Sequence, residues 1–301
     1  MIGKIRKSLF LSLAKAKRLQ RLGMRVGASQ VVAGETIESM MATVKERHAE
    51  GFSCKVENIC ETAETRSDAL QAANQCLQTL TWIQDHQLNC TLAIKLTQFG
   101  IGIDRLHAVS LLKQLLEKAS LAHTIISIDM EDYCEYEQTL RVFNELLASY
   151  PNCELVLQAN VKQVYQDVRT LQGAKICFVK GGNKEDVAVA LQQQDIIDER
   201  FFTMITQRLT TRSYTAIATH DANMIRKIVR FVKQHKIASD CFEFQLMQGF
   251  KTELQRQLIR AGYNVRIYVP YGKEWYPFFM KRLALRPQNL WYTIKGLFLK
   301  S

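Results

Sequence analysis

The strongest constraint on this chain is a regular alternation between short runs of β-branched and apolar residues and longer stretches with apolar residues at helical spacing. Runs at about 53–59, 90–97, 123–130, 154–159, 175–180, 215–220, 241–246 and 264–270 predict eight strands. Between them, 103–122 repeats Leu106, Val109, Leu112, Leu115 and Leu116 on one helical face, and 136–149 does the same with Leu140, Phe143 and Leu147. Both are long enough to return the chain between parallel strands. Eight strands with a helix after each close most naturally into an α/β barrel of the (β/α)8 type. An open doubly wound sheet is the alternative.

The 301 residues are 47% hydrophobic and 23% charged, enough apolar material for a large core, which excludes disorder. No run of glycine, proline, serine or one charge sign divides the chain. A single unit over 1–301 is expected, with a helical N-terminal segment over 1–50 and the barrel over 51–301. The net charge of +11 draws the surface toward anions. Zinc-finger spacing, glycine-rich RNA-binding motifs and a basic zipper are all missing, so nucleic acid is not the expected partner. Positive charge concentrates at the start: Lys4, Arg6, Lys7, Lys15, Lys17, Arg18, Arg21 and Arg25 precede the first acid, interleaved with Leu9, Phe10, Leu13, Leu19 and Leu22. Such a segment suits an anionic membrane surface, or simply a solvated helix capping the domain. Its apolar stretch is too short for a secretion signal, and no run is long enough to span a bilayer. A cytoplasmic protein, peripheral on the inner membrane face, is the expectation. The eight cysteines are scattered without a C-x-x-C pair, which reads as reduced thiols rather than a disulfide framework or a zinc site.

Barrel enzymes place their chemistry at the carboxyl ends of the strands. Here those ends carry Lys95 and Thr97, Asp129 and Glu131, Gln158, Lys180, Thr219 and His220, and Tyr268. Together they line one rim. Residue types alone leave the reaction open: Lys95 or Lys180 would serve Schiff-base chemistry if burial lowered its pKa, or would pair with Asp129 or an anion. Metal hydrolysis is weaker, because His220 is the single histidine on the rim. After the last strand, Trp275 to Arg282 ends in the adjacent cations Lys281 and Arg282, a carboxylate clamp or a solvated helix face.

Eight motifs in order, covering nearly the whole chain, resemble the monofunctional bacterial proline dehydrogenases. They are VAGET, IKLTQFG, IDMED, LQA, VKGG, IATHD, FEFQLMQG, and VRIYVPYG followed by WYPFFMKRLALRP. The resemblance implies a distorted barrel that holds FAD noncovalently and oxidises L-proline to 1-pyrroline-5-carboxylate, passing electrons to a membrane quinone. It implies that Lys95 and Asp129 border the proline site and that Tyr268 packs on the substrate ring. Lys281 and Arg282 take the places of paired arginines that bind the proline carboxylate. Met130, Gln158, Lys180, Gly181, Gly182, Thr219 and His220 would contact the flavin.

The same resemblance exposes departures. Cys177 stands where the family usually has an arginine near the hydride-accepting flavin nitrogen, so its assignment to the catalytic group rests on position alone. Asn160, Asn183 and Phe278 replace aromatic residues, the last two tyrosine in the family pattern; Lys281 replaces arginine, Leu285 glutamate, Glu57 aspartate and Cys60 glycine. Two readings follow: an active flavoenzyme for proline or a related cyclic imino acid, and a diverged, weakly active or non-catalytic paralogue that binds a different cyclic amine, another small molecule or a partner. For the basic opening segment, full-length protein is expected to co-sediment with anionic liposomes at low salt more than a version lacking residues 1–22; equal sedimentation removes the membrane role.

Overall fold

A computed structural model describes residues 30–181, 185–277 and 280. Eight strands form one closed barrel in sequence order, every neighbour parallel: β1 Ser53–Asn58, β2 Cys90–Ile94, β3 Ile125–Ile128, β4 Cys153–Gln158, β5 Lys175–Val179, β6 Thr215–Ala218, β7 Phe242–Met247 and β8 Val265–Tyr271. β8 closes on β1 with Ser53 opposite Arg266 and Asn58 opposite Tyr271. The helices are α1 Ile37–Ala49, α2 Arg66–Asp85, α3 Arg105–Leu121, α4 Tyr136–Leu147, the short α5 Val164–Asp167, α6 Gln194–Thr210, α7 Ala222–Gln234 and α8 Thr252–Arg260. The closed barrel is therefore as expected, and the open sheet is not formed. Gly182 and the basic segment over 1–29 lie outside the described residues, as do Asn183, Phe278, Lys281, Arg282 and Leu285.

Strand side chains alternate between two environments. Outward residues such as Cys54, Val56, Leu92, Ile94, Leu155 and Leu157 are buried against the helices in the main apolar core. The inward set is different. Val156, Cys177 and Ala216 form a small apolar group inside the barrel. Around it Lys55, Glu154, Glu243, Gln245 and Arg266 are also buried. Barrel interiors are normally filled by branched apolar residues, so a charged interior needs internal partners to offset the loss of water. Lys55 Nζ lies 3.0 Å from Glu154 Oε1, and Arg266 Nε lies 2.7 Å from Glu243 Oε1.

The strands stop earlier than the apolar runs suggested. β2 ends at Ile94, β3 at Ile128, β5 at Val179 and β6 at Ala218. Lys95, Asp129, Lys180, Thr219 and His220 thus follow the last paired residue, where the backbone turns outward and polar side chains find partners at the mouth. Beyond Ile94 the chain tightens into a 3-10 turn over Leu96–Phe99, closed by Gly100 in the left-handed region.

Helix starts at this end are fixed by caps written in the sequence. Thr65 and Asp68 make a reciprocal capping box on α2, and Thr36 with Ser39 does so on α1. Asp104 caps α3, and Asp221 caps α7 through the amides of Asn223 and Met224. VAGET is accordingly a structural clamp: Ala33 N–H donates to Pro270 O, Trp275 Nε1 donates to Glu35 Oε1 at 3.2 Å, and Thr36 starts α1. At the opposite end of the barrel the buried Arg208 of α6 donates to the carbonyls of Leu171, Ala174 and Tyr214, joining the approaches to β5 and β6. Arg208→Ala strips those carbonyls of their donors and should cost about 2–4 kcal/mol, read as a lower urea midpoint at unchanged slope.

Candidate active site

Of the site residues expected from sequence, Asp129, Cys177, His220 and Tyr268 line one cavity in the barrel mouth, whereas Lys95, Met130, Gln158, Lys180, Gly181 and Thr219 are not among its lining residues. That cavity, of about 220 Å³, is lined also by Lys55 and Gln245 among others. A larger hollow of about 670 Å³ lies outside the barrel between the ends of β1 and β8 and helices α1 and α2, lined by Glu35, Glu61, Glu64, Asp68 and Glu274 among others. The smaller one is the candidate site, because among the described residues it is lined by side chains on or just past β1, β3, β4, β5, β6, β7 and β8.

On one side of the mouth, Lys95 is ion-paired with Glu57. The Tyr268 hydroxyl lies 2.5 Å from Glu57 Oε2 and 3.3 Å from Asp129 Oδ2. A phenol has one proton, and the shorter contact takes it. Asp129 therefore faces the cavity with lone pairs to spare. Glu57 is the join between β1, β2 and β8 here, a role the rim reading missed. Beside it, Glu131 accepts from Thr97 N–H and its hydroxyl, and burial raises the Glu131 carboxyl above its ordinary pKa.

On the β4 side, Gln158 Nε2 donates to the carbonyls of Met130 and Glu131, at 3.3 and 2.9 Å. These bonds orient the amide. Gln158 Oε1 is left buried without a partner, as is Asn160 Oδ1. Unsatisfied buried acceptors are costly, and two of them near one mouth point to donors supplied by a ligand. Gly181 passes beside Asn160 at φ +111°, and an added Cβ would sit on the Asn160 amide, so no larger residue fits that backbone.

Lys180 is held by two carboxylates, Asp198 at 2.9 Å and Asp221 at 2.8 Å, rather than by Asp129. Asp221 was outside the rim residues singled out from sequence. It caps α7, binds Lys180, and receives the Thr219 hydroxyl oxygen as acceptor for its own N–H at 3.2 Å. The Thr219 O–H proton thus remains available to donate. His220 Nε2 lies 2.9 Å from the Met247 amide nitrogen and must accept from it, which places the imidazole proton on Nδ1. Burial, helped by the charge of Lys251, lowers the His220 pKa to about 4.

Cys177 is buried in the interior, its Sγ 3.3 Å from Gln245 Oε1. Burial pushes the thiol well above its usual pKa, so it is neutral. Lys55, Gln245 and Glu154 surround it inside the barrel; Lys55 and Glu154 fall outside every motif that carries the resemblance, and Gln245 lies within FEFQLMQG. The available signal was a charged or amide residue at alternate positions of buried strands, in Ser53–Asn58, Cys153–Gln158 and Phe242–Met247. Among the described residues no cluster of histidine, cysteine and carboxylates is arranged to hold a metal ion, and no helix is long and apolar enough to cross a membrane.

The family model for proline dehydrogenase matches residues 40–176 and 184–284. The chain belongs to the proline dehydrogenase family. It is 36% identical over 298 residues to proline dehydrogenase 1 of Bacillus subtilis (strain 168), covering 97% of this chain and 99% of that one. Proline dehydrogenase 2 of the same organism is 33% identical over 299 residues, with 97% and 99% covered. The proline dehydrogenase of Deinococcus radiodurans is 28% identical over 307 residues, with 99% of each covered. In structure, the barrel matches proline utilization A of Bdellovibrio bacteriovorus, inactivated by N-propargylglycine, with a TM-score of 0.81 and 17% identity. That match covers 94% of this chain and 35% of the larger protein, and it shows the fold. Proline dehydrogenase activity follows from the family membership, and the diverged, non-catalytic reading is not favoured.

Within this proline dehydrogenase, His220 contributes a pH dependence. An unfolded imidazole takes up a proton near 6.5, whereas the folded one does so only near 4. Between those values the unfolded chain binds more protons, so His220 costs stability as pH falls from about 6.5 toward 4 and nothing above. Urea midpoints of wild type should drop through that window more steeply than those of His220→Asn, which keeps an acceptor for Met247 N–H without titrating there.

Proposed function

We propose that the barrel mouth holds FAD and oxidises L-proline to 1-pyrroline-5-carboxylate, with electrons passed on to a membrane quinone. The observation that carries this reading is the set of unused polar atoms at the mouth: the Gln158 and Asn160 acceptors, the Thr219 hydroxyl proton and the His220 Nδ1–H. An isoalloxazine has ring N–H and carbonyl groups along one edge, and its ribityl and phosphate part offers acceptors, so donors and acceptors match in kind. FAD would supply the two-electron acceptor for the hydride that leaves the proline ring carbon beside nitrogen.

The chain's own residues orient and exclude. Gln158, fixed by the carbonyls of Met130 and Glu131, presents Oε1 to a ring N–H. Lys180, clamped by Asp198 and Asp221, fixes the backbone on which Gly181 follows the flavin. Thr219 and the neutral His220 donate toward the ribityl and phosphate part. Asp129 accepts from the proline nitrogen and favours its proton leaving as the hydride departs. Tyr268, held by Glu57, packs on the proline ring, and the Glu57–Lys95 pair closes the wall behind it. Lys281 and Arg282, which lie outside the described residues, are assigned to the substrate carboxylate by resemblance. The basic N-terminal segment would bring the mouth to the membrane where the quinone resides.

Protein purified from a flavin-replete host should be yellow, and anaerobic L-proline should bleach it. A colourless protein that takes up no added FAD overturns the reading. Gln158→Leu should weaken FAD binding by about tenfold, the loss of one buried hydrogen bond, while Asp129→Ala should leave FAD bound and slow its reduction by proline.

A further inference from the structure

One buried cation of the barrel is used by no motif and faces the site. Lys55 lies on β1, two residues before Glu57, with 1% of its surface exposed, yet it lines the mouth cavity together with Asp129, Cys177 and Tyr268. Its ammonium donates to Glu154 Oε1 at 3.0 Å and to Gln245 Oε1 at 3.4 Å. An ammonium has three N–H donors, so one remains beside the cavity. Glu154 is further held by Ser127 Oγ at 2.7 Å and is not among the residues lining the cavity, so the negative partner sits behind the positive one.

The other lining groups sharpen the point. Cys177 is a neutral thiol and His220 a neutral imidazole at pH 7. Among the described residues lining the cavity, Lys55 is the one cation and Asp129 the one carboxylate. Burial opposes the charge on Lys55, but the Glu154 carboxylate more than offsets it and holds the ammonium above the ordinary lysine pKa. Gln245, which Lys55 and Cys177 share, is fixed from behind by its Nε2 bond to Glu243 at 2.8 Å, and Glu243 is fixed in turn by Arg266. The cation is therefore held in place rather than free to swing away.

Hydride transfer to a neutral ring system leaves negative charge on the acceptor, and a preorganised cation at the cavity floor favours that charge. We infer that Lys55 is the fixed cation that stabilises negative charge developing on the reduced acceptor in the mouth, acting through its third N–H. This rests on the flavin reading above. Because the charge arises only after reduction, Lys55 contributes little to binding the neutral, oxidised ring.

Sulfite tests this without turnover, because it adds to the oxidised flavin ring and leaves the adduct anionic. Lys55→Met alone strands Glu154 as an unpaired buried charge, so the double variant Lys55→Met/Glu154→Gln is the main probe. It should retain FAD within about threefold of wild type. Its sulfite Kd should rise at least tenfold, and its flavin midpoint potential should fall by about 30 mV for each tenfold in the two-electron couple. Lys55→Arg, which keeps the charge, should hold sulfite affinity within about threefold of wild type. Unchanged sulfite affinity and potential in the folded, FAD-loaded double variant overturn the role of Lys55 while leaving the flavin reading intact. Failure of the wild-type protein to bind FAD overturns both.

Discussion

The interior of this barrel rests on two buried ion pairs joined by an amide. Lys55–Glu154 and Arg266–Glu243 lie inside the strands, and Gln245 touches both by accepting from Lys55 and donating to Glu243. A third strap, Arg266 to the Cys54 carbonyl at 3.0 Å, ties the network to β1. Buried pairs of this kind add little net stability over an apolar core, but losing one partner is severe, because the other is left charged in a poor solvent. The network thus fixes the relative positions of β1, β4, β7 and β8 more than it strengthens them. Those are the strands that carry Glu57, Gln158, Met247 and Tyr268 to the mouth.

Stability comes from the other face of the same strands. The outward residues pack on the helices as nearly continuous apolar runs, which is what a parallel sheet covered on its outside demands. This division lets the inward set be polar without weakening the core. It also explains why the polar rim lies just past the last paired residues. There the ladder ends, backbone groups turn to helix caps, and side chains such as Asp221 can serve a cap and an ion pair at once.

Barrel topology was legible in the sequence because the period of the pattern carries it: eight apolar runs, helical spacing between them, and cap residues such as Thr65 and Asp104 at the turns. Rim membership was legible for the same reason, since the polar residue closing each run has to emerge at one end. Pairing was not. That Lys95 meets Glu57, and that Lys180 meets Asp198 and Asp221, depends on strand register and on helix placement across 38, 18 and 41 residues. The charged interior was hidden by its alternation with strong apolar neighbours: Lys55 between Cys54 and Val56 reads as a strand edge until closure puts it inside.

Closure also changes how the departures from the family pattern are to be understood. The arginine that the resemblance implies at position 177 is a cysteine on β5, and its thiol bonds the same Gln245 oxygen that Lys55 reaches from β1. In a barrel this narrow, inward residues of distant strands are neighbours, so a charge missing from one strand can be carried by another without moving the backbone. Asn160 and Gly181 form a similar set, because the amide occupies the space any Cβ at 181 would need. Cys177 shares a contact with Gln245, and Asn160 with Gly181, so changes within either set will not add as independent changes would.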